Sequence, residues 1–284
     1  KRQVFYQQAD QFDAQSDVDS GLKEILFVIG VPRQLTVFRA SSKGLVFGPM
    51  VLRVDSRKGH SVIDIGKQEA LISGISIAWD FTEVLCSSVR FVIVLEKETL
   101  FSDLLHSRAQ SPCLFDQCLL VTARGYPDYF TRKFLRDRQR GNCALPIFYI
   151  GDLDPFGVDI LLNYMFGSPI SVYENSGVPT IIPIGLEPPD ISKEFRGVLQ
   201  LSTEDLLKTD IMLASNLMTL DLEEKDRSSL YEKLMCRKLK KIRVCLKWMR
   251  RFGCKAEVEI LSSNGVTLWG YIAFKVQSRS SNFQ

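Results

Sequence analysis

Apolar runs alternate with amphipathic stretches through the middle of the chain. Three runs, Arg90–Lys97, Asp116–Thr122 and Leu145–Asp152, are each followed by a segment of helical periodicity. The first two of these segments are Thr99–Arg108 and Pro127–Arg140, and the third begins directly after the last run. Short apolar runs in this alternation are typical of buried strands in a parallel sheet. We therefore predict an α/β fold with a Rossmann-like, mostly parallel sheet.

Two helical regions flank the predicted sheet. Asp17–Ile29 has apolar residues at helical spacing and ends before Val31 and Pro32, and a long region of roughly 221–251 repeats this pattern near the other end. Pro179–Gly185 predicts one more strand. Periodicity does not decide whether Lys255–Leu261 is a strand or the start of a helix.

The first part of the chain has a different pattern. After the helix at 17–29, Gln34–Ala40 predicts a short second helix, and Leu45–Val54, which contains Gly48 and Pro49, predicts a small hairpin or wing. This order is typical of a winged-helix module, whose helix packs into a groove of DNA and whose first helix would here lie before Lys1. We therefore predict two domains, 1–74 and 75–284, the second ending in a helical region.

Composition and charge narrow the function classes. The chain of 284 residues is 45% hydrophobic and 24% charged, as in globular proteins, and has no apolar run long enough for a transmembrane helix. Its seven cysteines include no CxxC pair, and two histidines are too few for a histidine-based metal centre. The net charge is only +3, but Arg124–Arg140 carries six basic residues against two acids and Tyr231–Lys255 ten against one. Such clusters are typical both of phosphate binding and of solvated helix faces.

Candidate chemistry lies where the third apolar run ends. Asp152 and Asp154 are two residues apart, so in an extended segment both face the same way, and Pro155 suits the first position of a helix capped by Asp154. Two carboxylates at the carboxyl edge of a buried strand suit Mg²⁺, but such a pair is often only a turn followed by a capped helix. Glu96 ends a neighbouring strand and would add a third carboxylate around one metal-sized gap. Glu98 is the local alternative, in a first helical turn.

The order of these segments resembles a known family. A Glu after one strand and a DxD after a later one form the signature of the Toprim domain of topoisomerases, primases and some nucleases. The chain is more specifically similar to the topoisomerase VI A-subunit family, and most to its eukaryotic meiotic DNA double-strand-break transesterases. The segments that carry this resemblance are KRQVFY (Lys1–Tyr6), SSKGLVFG (Ser41–Gly48), VLEKETLF (Val94–Phe101), TARGYPDYFTRKFL (Thr122–Leu135), GDLDPFGVDIL (Gly151–Leu161) and KAEVEIL (Lys255–Leu261).

The resemblance implies a topoisomerase-like transesterase that makes DNA double-strand breaks in meiotic recombination. It assigns the nucleophile to Tyr6, which would end linked to a DNA 5′ phosphate. Arg2, four residues before Tyr6, would hold the scissile phosphate or favour the phenolate. It assigns Mg²⁺ to Glu96, Asp152 and Asp154.

The resemblance also implies that Lys43, Arg124, Arg132 and Lys133 contact DNA. Arg132 is the strongest candidate of the last three, because TR recurs in the family after the GYPD turn. Without the resemblance, Lys43 and Gly44 fit equally well a helix ending in a C-cap glycine with a solvated lysine.

The implied partners are double-stranded DNA, a second copy of the chain, other meiotic break-forming proteins and a topoisomerase VI B-like subunit, in the nucleus on chromosomes. The resemblance implies two copies, with Tyr6 from one and the carboxylates from the other, so that a symmetric dimer would cut both strands of two-fold symmetric duplex DNA. No GxxxxGK[ST] motif is present, so any ATP binding would belong to a partner. The alternatives are a Toprim metal-dependent nuclease or primase, a non-catalytic DNA-binding scaffold and an archaeal-type topoisomerase VI A subunit. A covalent protein–DNA adduct would distinguish the transesterases from the others.

Overall fold

A computed structural model describes residues 2–8, 10–30, 43–56, 59–67, 69–72, 82–139, 145–167, 177–191, 195–215 and 230–280. In these ranges the strands are β1 (Leu45–Phe47), β2 (Met50–Ser56), β3 (Gly59–Asp64), β4 (Ala70–Leu71), β5 (Thr82–Ser87), β6 (Phe91–Leu95), β7 (Cys118–Thr122), β8 (Ile147–Ile150), β9 (Ile182–Pro183), β10 (Leu199–Gln200) and β11 (Cys254–Lys255). The helices are α1 (Arg2–Gln7), α2 (Gln15–Ile29), α3 (Glu98–His106), α4 (Pro112–Phe115), α5 (Tyr129–Arg138), α6 (Pro155–Phe166), α7 (Thr203–Ala214), α8 (Leu230–Phe252), α9 (Ile260–Ser263) and α10 (Leu268–Ser280).

A six-stranded sheet in the order β4-β1-β7-β6-β8-β9 forms the centre of the fold. The four strands β7, β6, β8 and β9 are parallel, whereas β1 and β4 are antiparallel additions at one edge. Every residue of β6, β7 and β8 is buried. This explains why these segments are continuous apolar runs, because both faces of the sheet are covered. The predicted mostly parallel sheet is confirmed.

The helices between these strands begin close to their predicted positions. Helix α3 follows β6, α5 follows β7 and α6 follows β8, which is the right order for parallel strand connections. Asp128 caps α5, because its side chain accepts a hydrogen bond from the Thr131 amide. Within the described ranges, no helix combines the length and hydrophobicity that crossing a bilayer requires.

The N-terminal half differs from its prediction in one respect. Leu45–Val54 does not form a hairpin, because β1 pairs with β7 in the central sheet while β2 pairs with β3 and β5 in a separate three-stranded antiparallel sheet. Gly48, at φ 155°, lies between the two strands. Its position lacks room for a side chain, since a Cβ there would lie 2.7 Å from the Cys118 carbonyl oxygen.

The two-domain division stays a prediction. Helix α2 is observed where the sequence predicted it, but the predicted helix Gln34–Ala40 lies outside the described residues, so the winged-helix module also stays a prediction. Strands from both sides of residue 74 pair with one another, β1 with β7 and β2 with β5. Each of these two sheets therefore contains strands from both sides of residue 74, and a domain boundary there would cut through both.

The C-terminal region closes over the carboxyl edge of the central sheet. Helix α8 is the long amphipathic helix, with Leu239, Ile242 and Leu246 among its buried residues. The segment that periodicity left undecided contains both structures, because β11 pairs with β10 and α9 begins soon afterwards. Between them Ala256 forms a two-way backbone bridge with Leu153, which ties this segment to the turn after β8.

Candidate active site

Three parallel strands end at the same level. In the register of the sheet, Leu95 of β6 lies opposite both Thr122 of β7 and Ile150 of β8. Glu96 is therefore the first residue beyond β6, and Asp152 lies just beyond β8 at the same edge. The sequence prediction of acidic residues at the carboxyl edge of neighbouring strands agrees with this arrangement.

Two glycines allow the chain to approach these acids closely. A Cβ atom on Gly151 would lie 2.5 Å from Glu96 Oε2, and one on Gly157 would lie 2.6 Å from the Asp152 carbonyl oxygen. Both distances are shorter than side-chain carbons tolerate. The glycines of GDLDPFG are therefore required by packing around the Glu96 carboxylate.

Glu96 is 7% exposed and its contacts orient it inwards. Its Oε2 atom accepts hydrogen bonds from the Tyr149 hydroxyl at 3.0 Å and from the Asp152 amide at 3.1 Å. Burial raises the pKa of Glu96 to about 7, and the charges of Asp152 and then Asp154 add to the effect. A cation beside these acids would favour the ionised form.

Asp152 is 9% exposed and uses both carboxylate oxygens. Its Oδ1 accepts a hydrogen bond from the Val258 amide at 2.8 Å, and its Oδ2 lies 2.9 Å from Lys97 Nζ. Burial raises the pKa of Asp152 to about 6, although Lys97 and the Val258 amide both oppose the rise. Asp152 is therefore a buried acid that already has one positively charged partner.

Asp154 caps helix α6, as predicted. Its Oδ1 accepts a hydrogen bond from the Gly157 amide, and Pro155 takes the first helical position. Burial raises the pKa of Asp154 above its ordinary value. The capping and metal-binding interpretations are compatible, because a carboxylate has a second oxygen.

The assignment of Mg²⁺ to Glu96, Asp152 and Asp154 stays a prediction. Within the part of the chain that the structure describes, no three His, Cys, Asp or Glu side chains are arranged to hold one metal ion. The reason is that Asp152 turns towards Lys97 and Val258, while Asp154 turns towards the start of α6. The donor set nevertheless fits a hard divalent cation, because it consists of carboxylate oxygens.

Glu96 and Glu98, the two candidates for the third acid, have different surroundings. Glu98 lies in the first turn of α3, its side chain is 47% exposed, and its Oε1 pairs with Arg124 Nη2 at 2.7 Å. Glu96 instead directly contacts the Asp152 amide. Glu96 is therefore the better candidate for the metal site.

Lys97 is a site residue that the sequence prediction missed. Besides Asp152, its Nζ contacts Glu259 Oε2 at 2.9 Å and Glu257 Oε2 at 3.4 Å. Although partial burial opposes it, bonding to Asp152 raises the pKa of Lys97 above its ordinary value. The available signal was the pair of acids in KAEVEIL, although Val258 and Glu259 form a turn before α9 and the segment there is not extended.

Two of the four predicted DNA contacts meet beside this edge. Lys43 Nζ donates to the Arg124 carbonyl oxygen at 3.0 Å, and Gly125, next along the turn, donates its amide to the Glu96 carbonyl oxygen at 2.9 Å. Arg124 has φ 56°, unusual for a non-glycine residue. Gly44 has no room for a Cβ because of the Thr131 hydroxyl, so close packing against α5 explains this glycine.

The other two predicted contacts differ in exposure. Arg132 is only 4% exposed and donates from Nη1 to the Pro127 carbonyl oxygen at 2.7 Å, so it braces the start of α5 and does not line a surface. The DNA-binding role predicted for Arg132 stays a prediction. Its burial follows from facing the sheet side of the amphipathic α5. Lys133 is partly exposed and pairs with Asp137 one helical turn later, at 2.6 Å.

Tyr6 lies on the surface of helix α1. Its side chain is 73% exposed, and its ring makes an edge contact with Phe5 at a centroid distance of 5.5 Å. An exposed phenol of this kind is accessible to a second molecule. The roles predicted for Tyr6 and for Arg2, which begins α1, stay predictions.

Comparison with known proteins identifies one family and several related proteins. The family that covers the Toprim domain of topoisomerase 6 A-subunit and Spo11 proteins matches residues 91–275. The chain is 28% identical to meiotic recombination protein SPO11-1 of Arabidopsis thaliana, over 99% of this chain and 73% of that protein. It is 30% identical to meiotic recombination protein spo-11 of Caenorhabditis elegans, over 75% of this chain and 49% of that protein.

The similarity extends to a topoisomerase. The chain is 28% identical to the A3 subunit of DNA topoisomerase 6 of Oryza sativa subsp. indica, over 93% of this chain and 55% of that protein. The chain thus spans only about half the length of the worm and rice proteins. Toprim domains bind divalent metals in general, which agrees with the acidic edge described above.

Proposed function

This chain belongs to the TOP6A-Spo11 Toprim family, and we propose that it is a topoisomerase-like transesterase that makes DNA double-strand breaks in meiotic recombination. The observation that carries this proposal is the convergence of Glu96 and Asp152 at one edge of the parallel sheet, joined through a hydrogen bond from the Asp152 amide. The related meiotic recombination proteins support the biological setting, a nuclear role on chromosomes.

In the proposed reaction Tyr6 is the nucleophile. Its hydroxyl oxygen forms a bond to a backbone phosphorus while the bond from that phosphorus to the 3′ oxygen breaks, and the phenol proton is balanced by protonation of the leaving 3′ oxygen. The product is a 5′-phosphotyrosyl link and a 3′ hydroxyl, without consumption of water. Arg2, four residues before Tyr6, would contact the scissile phosphate.

Glu96, Asp152 and Asp154 would hold Mg²⁺. When bound there, the ion would neutralise charge developing on the phosphate and on the leaving oxygen. The chain's own contribution is to hold the acids at a dry, fixed edge, since Tyr149 and the Asp152 amide fix Glu96 and the Val258 amide fixes Asp152.

Lys43 and Arg124 would contact the DNA backbone beside the acids, with Lys133 further along α5. Arg124 precedes Gly125 in the turn that donates to the Glu96 carbonyl oxygen, and Lys43 Nζ contacts the Arg124 carbonyl oxygen. Their positive charge would therefore act next to the phosphate that reaches the acidic edge.

The proposed assembly contains two copies of the chain on one duplex, each supplying Tyr6 to the acidic edge of the other. Other meiotic break-forming proteins would act with it, together with a topoisomerase VI B-like subunit. The exposed position of Tyr6 supports this arrangement, because a phenol on the surface can reach another molecule.

The test is covalent attachment. The chain, with its partner proteins, is incubated with end-labelled duplex DNA and Mg²⁺, and label that stays with protein under denaturing conditions is measured. We expect an adduct in the presence of the metal and none with Tyr6→Phe. DNA cleavage without an adduct would contradict the proposal and indicate a metal-dependent nuclease.

A further inference from the structure

Lys97 lies between two groups of acids. On one side is Asp152, with its side chain only 5% exposed, and on the other are Glu257 and Glu259, with side chains 52% and 41% exposed. The distances from Lys97 Nζ to Asp152 and to Glu259 are both 2.9 Å. One ammonium group therefore bridges a buried acid of the proposed metal site and two acids nearer the solvent.

The backbone fixes both sides of this bridge. Lys97 directly follows Glu96 and precedes α3, so its Cα position is set by the end of β6. The segment that carries Glu257 and Glu259 is held by the bridge between Ala256 and Leu153. The Val258 amide also holds Asp152 Oδ1. A shift of Lys97 Nζ away from Asp152 can thus occur by side-chain rotation alone.

A cation bound at Asp152 would conflict with Lys97. The Val258 amide holds Oδ1 and Lys97 holds Oδ2, so a divalent ion bound to this carboxylate would lie close to the ammonium group. Two cations within bonding distance of one carboxylate repel each other strongly where water is scarce. Glu257 and Glu259 offer the ammonium group two alternative partners that it already contacts.

From these contacts we propose that Lys97 is an internal cation that competes with the divalent metal for Asp152, and that Glu257 and Glu259 receive it when the metal binds. The inference rests on the proposed function, since it assumes that Asp152 is a metal ligand. Lys97 is a positioning residue in this account. It sets the metal affinity of the site and touches no reacting atom.

The test measures Mn²⁺ affinity directly, from the electron paramagnetic resonance signal of unbound Mn²⁺, with the whole chain and no DNA. Lys97→Gln should bind Mn²⁺ about tenfold more tightly than the natural chain, because the competing charge is gone. Lys97→Arg keeps the charge and should stay near the natural affinity. Lys67→Gln is the matched control, since the Lys67 side chain is 82% exposed and pairs with Asp64, outside the acidic edge.

A second set of variants should change Mn²⁺ affinity in the opposite direction. Glu257→Gln combined with Glu259→Gln should weaken Mn²⁺ binding severalfold, because Lys97 is then left with Asp152. In the Lys97→Gln background, the same two substitutions should change Mn²⁺ affinity by less than about twofold, since there is then no ammonium group for Glu257 and Glu259 to bind. Equal weakening in both backgrounds would mean that the two acids act on the metal directly, and would overturn their proposed role.

The Mn²⁺ measurements distinguish a failure of the proposed competition from a failure of the proposed metal site. If the natural chain binds Mn²⁺ and Lys97→Gln binds it equally or more weakly while still folded by circular dichroism, the competition is wrong and the metal site stands. If neither chain binds Mn²⁺, and Asp152→Asn changes nothing, the metal site of the proposed function is wrong and the inference falls with it.

Discussion

Glu96→Gln should make the protein more stable at alkaline pH when a chelator removes divalent metal. The substitution keeps the shape of the side chain and an oxygen that can accept the hydrogen bonds from Tyr149 and the Asp152 amide. It removes a negative charge that is buried among other acids. The variant should therefore lose nothing in packing and gain whatever the ionised carboxylate costs.

The size of the expected gain in stability follows from the pKa of Glu96. Burial, with Asp152 and Asp154, raises the pKa of Glu96 from 4.5 to about 7 in the folded chain. At 1.36 kcal/mol per pH unit, this corresponds to about 3 kcal/mol. Because the pKa is higher in the folded state, the stability that Glu96 contributes is fully present below pH 4.5 and is lost as the pH rises through 7.

The assay is urea unfolding in EDTA at several pH values from about 5 to about 8.5. We expect the variant to exceed the natural chain by up to about 3 kcal/mol at about pH 8, with the difference shrinking towards about pH 5. Glu98→Gln is the matched control, because Glu98 is two residues away but exposed and paired with Arg124. It should show no comparable pH-dependent gain.

Replacing the chelator with Mn²⁺ should reduce the difference, because a bound cation stabilises the chain that keeps all three carboxylates more than the variant that keeps two. The reasoning would be refuted by a Glu96→Gln variant that is equally or less stable than the natural chain under alkaline conditions in EDTA. Such a result would mean that the carboxylate is already compensated in the folded chain by groups other than a metal.

Three further predictions test the neighbouring parts of the account. Gly151→Ala should destabilise the fold by about 1–3 kcal/mol in thermal unfolding, because its Cβ would meet Glu96, whereas Gly21→Ala, with open space around it in α2, should be neutral or stabilising. Lys43→Gln should lower the slope of log affinity for duplex DNA against log salt concentration by about 1, and an unchanged slope would remove Lys43 from the interface. Chains carrying Tyr6→Phe and chains carrying Glu96→Gln, each inactive alone, should nick one strand when mixed with partner proteins, whereas a site completed within one chain would leave the mixture inactive.

The central sheet could be predicted from the sequence because its signal is local. Arg90–Lys97, Asp116–Thr122 and Leu145–Asp152 have apolar interiors since both sheet faces are covered, and β6, β7 and β8 lie within these ranges. Strand β1 could not be assigned correctly, because its partner β7 is more than seventy residues away, and nothing local distinguishes that pairing from a hairpin with β2.

The same limit applies to the site. Glu96, Asp152 and Asp154 could be proposed from strand ends and a helix cap, which are local features. Lys97 depends on Asp152 and on a segment more than 150 residues further along the chain, so its contacts appear only after folding. The burial of Arg132 could not be predicted for a related reason, since the sequence shows its charge but not that α5 turns it inwards.

The central claim is that Tyr6 becomes linked to DNA, and peptide mapping of the adduct tests it most directly. Trypsin cuts after Arg2 and next after Lys23, and the peptide Gln3–Lys23 contains Tyr6 as its single tyrosine among the eight in the chain. After nuclease trimming of the DNA, mass spectrometry should find this peptide carrying a nucleotide through a phosphodiester on Tyr6. A nucleotide on a different peptide, or recovery of broken DNA with no modified peptide, would contradict the account.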